Sequence, residues 1–203
     1  MSADQRRASA RAAARALLAR GTSADELTLR MVAKEGAMPL QTLNYVYRSI
    51  AELLADLQAE FESQVALTQQ DVGDGGLVIE LGGLIESYVA ILRDDPSNME
   101  IIRWQMLLIG RGEIVMAGGL SMRACLSRIQ ERSGEQWRLP LEELSVLTQA
   151  MISGMHVQFF VRGADQVALE AWRQDAQLIV AALGRLALPE PEQPSHRGSA
   201  HDT

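Results

Sequence analysis

The sequence has a single cysteine, Cys125, which excludes an intramolecular disulfide and any zinc site built on cysteines. It also has no long apolar run. Stretches such as 157–161 are far shorter than the roughly 20 residues that a membrane-spanning helix needs. The opening segment MSADQRRASARAAARALLAR lacks the apolar stretch and small-residue cleavage site of a signal peptide. These absences lead us to expect a cytoplasmic chain with no membrane partner. No useful length of sequence alternates apolar and polar residues, so strands are not expected. What is present is a globular composition, 47% apolar and 22% charged, over 203 residues. That length buries a sizeable core in one extended domain or two small ones.

Catalytic constellations are also missing. His156 lies between Met155 and Val157 in a strongly apolar segment, which fits a hydrogen-bonded core or pocket histidine better than a base. No carboxylate stands at a helical spacing that would build a metal site with it. Cys125 has Arg123 and Arg128 near it in sequence, yet a lone cysteine in a helix is usually buried and inert. Gly110, Gly112, Gly118 and Gly119 form neither a dinucleotide fingerprint nor a P-loop. We therefore expect no enzyme, no metal and no cofactor.

The charge is unevenly distributed. Residues 1–50 carry eight basic and four acidic side chains, 8 − 4 = +4, so the other 153 residues carry −7 − 4 = −11. A basic head on an acidic body is what attraction to phosphate at one end requires, although a solvated basic helix would show the same split.

Residues 4–20, rich in Ala, Arg and Leu, predict a helix that Gly21 stops. Thr28 can cap a short helix from Leu29 to about Gly36. Pro39 suits the first turn of another, running to about Tyr45. Ser49 can cap a long helix with Leu53, Leu54, Leu57 and Phe61 on one face. The run 71–76 is a break. Beyond it, helices are expected over 77–93, 97–109, 113–132, 141–162 and 165–188, the third kinked or broken near Gly118 and Gly119. The whole is read as all-α: an N-terminal three-helix helix-turn-helix head at 1–50, a helical bundle body at 51–188, and a proline-containing, disordered tail at 189–203.

The informative stretch is 27–54. Val32 and Ala33 give the first short helix a close-packing face, and Leu43 and Val46 can anchor the second against the long helix. Gln41, Thr42, Asn44 and Tyr45 are then left to look outward, where amide and hydroxyl groups reach base edges and phosphates. The pattern Leu27-Thr28, Val32-Ala33, Gly36, Thr42-Leu43, Tyr45, Ser49 and Glu52-Leu53-Leu54 resembles the DNA-binding head of the TetR family of transcriptional regulators. The likeness covers roughly residues 8–60; the body matches only in length and helix count. It departs from the family pattern at Ala37, usually Gly, and at Asn44, Val46 and Tyr47, usually Tyr, His and Phe. It departs also at Ile50, usually a phosphate-contacting Lys.

The resemblance implies binding to double-stranded operator DNA through Thr28, Leu40, Gln41, Thr42, Asn44, Tyr45 and Arg48, with Arg48 standing in for the missing lysine. It further implies a homodimer whose two heads sit at half-site spacing, and release by a small effector bound in the body. Six methionines in the body suit an apolar effector, although ordinary packing would use them too. The expected ligand contacts are Tyr88, Trp104, Gln105, Met106, Met122, Met155, Gln158 and Phe159. The segments 141–162 and 165–188 are apolar on more than one face, and from this we expect a dimer interface through Leu144, Leu147, Met151, Gly154, Leu178 and Ala182. A helical sensor or interaction module that has kept the fold and lost DNA binding is the alternative, prompted by Asn44, Ile50 and the acidic balance.

Overall fold

The computed structural model describes residues 2–111 and 118–189. It is built of helices α1 (Ala3–Ala19), α2 (Leu29–Glu35), α3 (Leu40–Val46), α4 (Ile50–Gln70), α5 (Leu77–Asp94), α6 (Ser97–Gly110), α7 (Gly118–Ser133), α8 (Leu141–Val161) and α9 (Gln166–Ala187). Local chemistry explains the boundaries. The Ser2 hydroxyl and the Gln5 side chain form a reciprocal capping box at the start of α1. Gly21, at φ 92°, ends that helix in the left-handed conformation glycine tolerates. Thr28 and Ser49 cap α2 and α4 as expected, accepting the Met31 and Glu52 backbone N–H groups. Pro39 stands one residue before α3, as its cap rather than inside its first turn. The residues at 113–117 expected to open α7, and the tail at 190–203, lie outside the described residues.

Three apolar clusters run along the molecule. The first holds α1, α2 and α3 together: Ala10, Ala14, Leu18, Val32, Leu43 and Tyr47 pack with Leu53, Leu54 and Leu57 of α4 and with Ile101 of α6. The helix-turn-helix core thus draws on α4 and α6, beyond residue 50. The second cluster joins Phe61 to Val89, Leu92, Ile102, Met155, Phe159, Leu169 and Trp172. The third joins Leu77, Leu81, Met122, Cys125, Leu126, Ile129, Leu144, Val180 and Leu183. Helix α9 packs on both α5 and α8, and α7 covers α8. At the head of α5, Gly76 has φ 83°, a left-handed conformation that glycine adopts without strain.

Two expectations are corrected here. Helix α8 is long and apolar enough to cross a membrane by length and composition, because its interruptions are uncharged Ser, Thr, Gln and Gly. In this fold it is a bundle helix, burying Leu144, Ser145, Thr148, Met155 and Phe159 against its neighbours. The basic head, moreover, is half neutralised internally, four of its eight basic side chains being paired. Arg7 and Arg11 pair with Asp56, Arg11 and Arg15 with Glu60, Arg15 with Asp95, and Arg20 with Glu35. The one-turn spacing of Arg7, Arg11 and Arg15 on α1 matches that of Asp56 and Glu60 on α4. Arg6, Arg30, Lys34 and Arg48 make no ion pair among the described residues.

Candidate functional site

The head presents α3 outward. Leu43 and Val46, three residues apart, are buried and pin one side of the helix. Gln41 and Asn44 are exposed on the other side, and Tyr45 is 77% exposed. Thr42 is half-buried. Leu40 turns inward, partly buried against the head cluster, so it does not belong to the outward row. Thr28 spends its hydroxyl oxygen on the α2 cap, leaving the hydroxyl proton free to donate. Arg48 is exposed, and its backbone N–H donates to Glu52 at 2.7 Å. Ile50 packs partly buried on the head core, an apolar use for the position usually held by lysine. Tyr47 is fully buried with its hydroxyl 2.7 Å from Asp56; desolvation and then that carboxylate push its pKa up to about 12. The turn between α2 and α3 needs a left-handed residue, and Ala37 supplies it at φ 47° where glycine would be unstrained.

The body holds a cavity of about 400 Å³. Helix α4 contributes Phe61, Val65 and Gln69; α5 Leu81, Ile85 and Tyr88; α8 Thr148, Ile152, Met155 and His156; α9 Trp172, Ala176 and Ile179. Gln105 of α6 and Met122 of α7 complete the wall. Of the expected ligand contacts, Tyr88, Gln105, Met122 and Met155 meet there. The other four expected contacts do not. Trp104 packs on the head cluster, Met106 and Phe159 serve the second cluster, and Gln158 faces solvent. Their positions on α6 and α8 place them a turn or less from true wall residues, but on other faces of those helices.

Tyr88 and His156 are joined at 2.8 Å between the hydroxyl and Nε2. The surface these two side chains keep faces the cavity, and burial pushes the His156 pKa down to about 4, so the ring is neutral. Cys125, fully buried with a thiol pKa raised to about 11 by desolvation, is inert. No cluster of metal-ligating side chains occurs among the described residues.

Leu144, placed by sequence on a dimer face, is fully buried in the third cluster and is used up inside the subunit. Leu147 and Met151 are half-buried beside it. Gly154, Leu178 and Ala182 are exposed. With them, Val146, Val157 and Val161 of α8 and Leu186 of α9 also stand in solvent, at spacings of one or two turns along each helix.

No family model matches the sequence, and no curated protein sequence matches it. Solved structures do. A Mesorhizobium loti protein assigned to the TetR family of transcriptional regulators superposes with a TM-score of 0.64 at 14% identity, over 93% of this chain and 100% of that one. The SmeT–triclosan complex gives 0.63 at 15% identity, over 98% and 100%. A Haemophilus influenzae TetR-family regulator gives 0.55 at 13% identity, over 92% and 98%. Over the described residues the chain has the fold of the TetR-family transcriptional regulators.

Proposed function

We propose that this chain is a ligand-responsive, DNA-binding transcriptional regulator, a cytoplasmic repressor released from its operator by a small apolar effector. The observation that carries the reading is α3. A short helix pinned by Leu43 and Val46 offers Gln41, Asn44 and the 77%-exposed Tyr45 to solvent in one row. Amides on such a helix match the major groove, where they can pair bidentately with adenine. Arg48 at the end of this helix supplies a phosphate contact. The SmeT neighbour, a complex with triclosan, supports a small-molecule occupant for the body.

Two helices connect the sites. Leu53, Leu54 and Leu57 of α4 belong to the head core while Phe61, Val65 and Gln69 of the same helix line the cavity. Ile101 of α6 belongs to the head core and Gln105, one turn on, lines the cavity. An occupant that displaces either helix therefore displaces the head, which is the differential contact that coupling requires.

The unit of function is a homodimer. The exposed apolar rows of α8 and α9 pair with the same helices of a second copy in a four-helix contact that sets the head spacing. The internal pairing of the α1 arginines and the apolar Ile50 favour the alternative, a sensor without DNA binding. A gel shift on the duplex upstream of the protein's own gene separates the two. A salt-sensitive shift supports the regulator; no shift at low salt with a folded dimer supports the sensor.

A further inference from the structure

Charge in the cavity wall has one sign. The acids and bases among the lining side chains are Glu62, Tyr88 and His156, and no lysine or arginine is with them. Burial keeps two of the three uncharged, raising the Tyr88 phenol and pushing the His156 imidazole down to about 4. Arg128 donates to the Gln69 backbone carbonyl at 2.9 Å but does not line the cavity. Among the described residues, the Glu62 carboxylate is the one charge this wall presents.

That carboxylate can be reached. Glu62 is exposed, whereas Phe61 beside it is buried. Its Oε1 accepts from the Gln58 side chain at 2.8 Å and from Gln105 Nε2 at 3.5 Å. Both donors are uncharged amides, and no ion pair neutralises Glu62 among the described residues. A carboxylate offers roughly four lone-pair sites, so these amides leave room for a further donor. The rest of the space is hydrocarbon. Val65, about one turn along α4 from Glu62, lines it with Ile85, Ile152 and Ile179. At about 400 Å³ it can enclose a small organic body.

A molecule seated here meets apolar side chains along its length and a carboxylate at the exposed side. An anionic end is repelled there, and a neutral end gains an ordinary hydrogen bond. A protonated amine gains a charge-assisted one, and at an exposed carboxylate it keeps part of its hydration, so the cost of burying charge is small. Given the reading of this cavity as the effector site, we propose that its occupant is an amphipathic organic cation, an apolar body carrying one ammonium group that Glu62 holds. The small apolar effector thereby acquires a positive end.

Three probes of one shape test this by calorimetric titration of the full chain near neutral pH. They are 2-(aminomethyl)naphthalene (cationic), 2-(hydroxymethyl)naphthalene (neutral) and 2-naphthoate (anionic). The amine is expected to bind about two- to fivefold tighter than the alcohol, the worth of one exposed ion pair, and naphthoate more weakly than either. Because the acidic body attracts any cation at long range, the local contact is isolated by substitution. Glu62→Gln brings the amine to the level of the alcohol and leaves the alcohol unchanged. Glu62→Lys reverses the order, so that naphthoate binds tightest. Equal affinity for amine and alcohol in the wild-type protein, an amine preference that survives Glu62→Gln, or no binding by any probe overturns the proposal. A gel shift run alongside keeps the two readings apart. Amine preference that depends on Glu62, without DNA binding, overturns the regulator and leaves the ligand class standing. DNA binding with no amine preference does the reverse.

Discussion

Replacing Arg15 by alanine will unfasten α1 from the corner between α5 and α6. One guanidinium nitrogen of Arg15 donates to Asp95 at 2.8 Å, to Asn98 Oδ1 at 2.9 Å and to the Ser97 hydroxyl at 3.1 Å; the other reaches Glu60 at 3.1 Å. The side chain is 17% exposed, and Ser97 and Asn98 are fully buried. Its carboxylate partners are 36% and 41% exposed, so water compensates much of the ionic loss. Asp95 also keeps its bonds from the Ser97 N–H and hydroxyl. Asn98 Oδ1 is the atom with most to lose, because a buried acceptor left unpaired costs about 1–3 kcal/mol. Together with the charged bonds, about 3 kcal/mol of stability is expected to go, roughly 6–12 °C in Tm for a chain of this size. Arg15→Lys, with a point charge in place of the fork, is expected to lose about half as much. The assay is urea unfolding followed by circular dichroism at fixed protein concentration. A loss below about 1 kcal/mol for Arg15→Ala would refute the reasoning, showing that this cluster does not hold head to body.

Three further outcomes are expected. Gln41→Ala and Asn44→Ala each relax operator preference at a cost of about 1–3 kcal/mol, whereas Arg48→Ala weakens all sequences alike and lowers the salt slope by about 1; binding-site profiles and salt titrations check both. His156, held neutral with a pKa near 4 against 6.5 when unfolded, makes stability fall with acid. The unfolded chain takes up a proton that the folded chain refuses, so this contribution is complete above pH 6.5 and is lost as pH drops toward 4, roughly 3 kcal/mol at most. His156→Gln removes that slope, and identical urea midpoints against pH in both proteins would disprove it. Leu178→Glu with Ala182→Glu puts carboxylates on the exposed α9 row and is expected to turn a dimer into a monomer in sedimentation. A variant that stays dimeric at micromolar concentration places the interface elsewhere.

What could be read from sequence was what local chemistry sets. The caps at Thr28 and Ser49, the stop at Gly21 and the proline before α8 are signals within a few residues of the boundaries they cause, and all nine expected helices were found within the described residues. The outward row of α3 followed from Leu43 and Val46 alone. The cavity was half-readable. Tyr88, His156 and Trp172 sit on α5, α8 and α9, and no spacing in the sequence brings three helices face to face. Trp172 carries no local signal, and Trp104, expected among the ligand contacts, is turned by helix rotation into the head core. The charge of the head misled for the same reason. Arg7, Arg11 and Arg15 count as basic in a sum but are aimed at Asp56, Glu60 and Asp95, residues a composition places in the body.

Whether α3 reads DNA is answered most directly by selecting binding sites for the full-length protein from a random pool of duplex DNA. A twofold regulator with this head is expected to enrich an inverted repeat, its half-sites about one helical turn (10–10.5 base pairs) or a multiple apart. Enrichment is expected to collapse when Gln41 and Asn44 are both alanine. Failure of the folded wild-type protein to enrich any repeat at low salt would contradict DNA recognition by this helix.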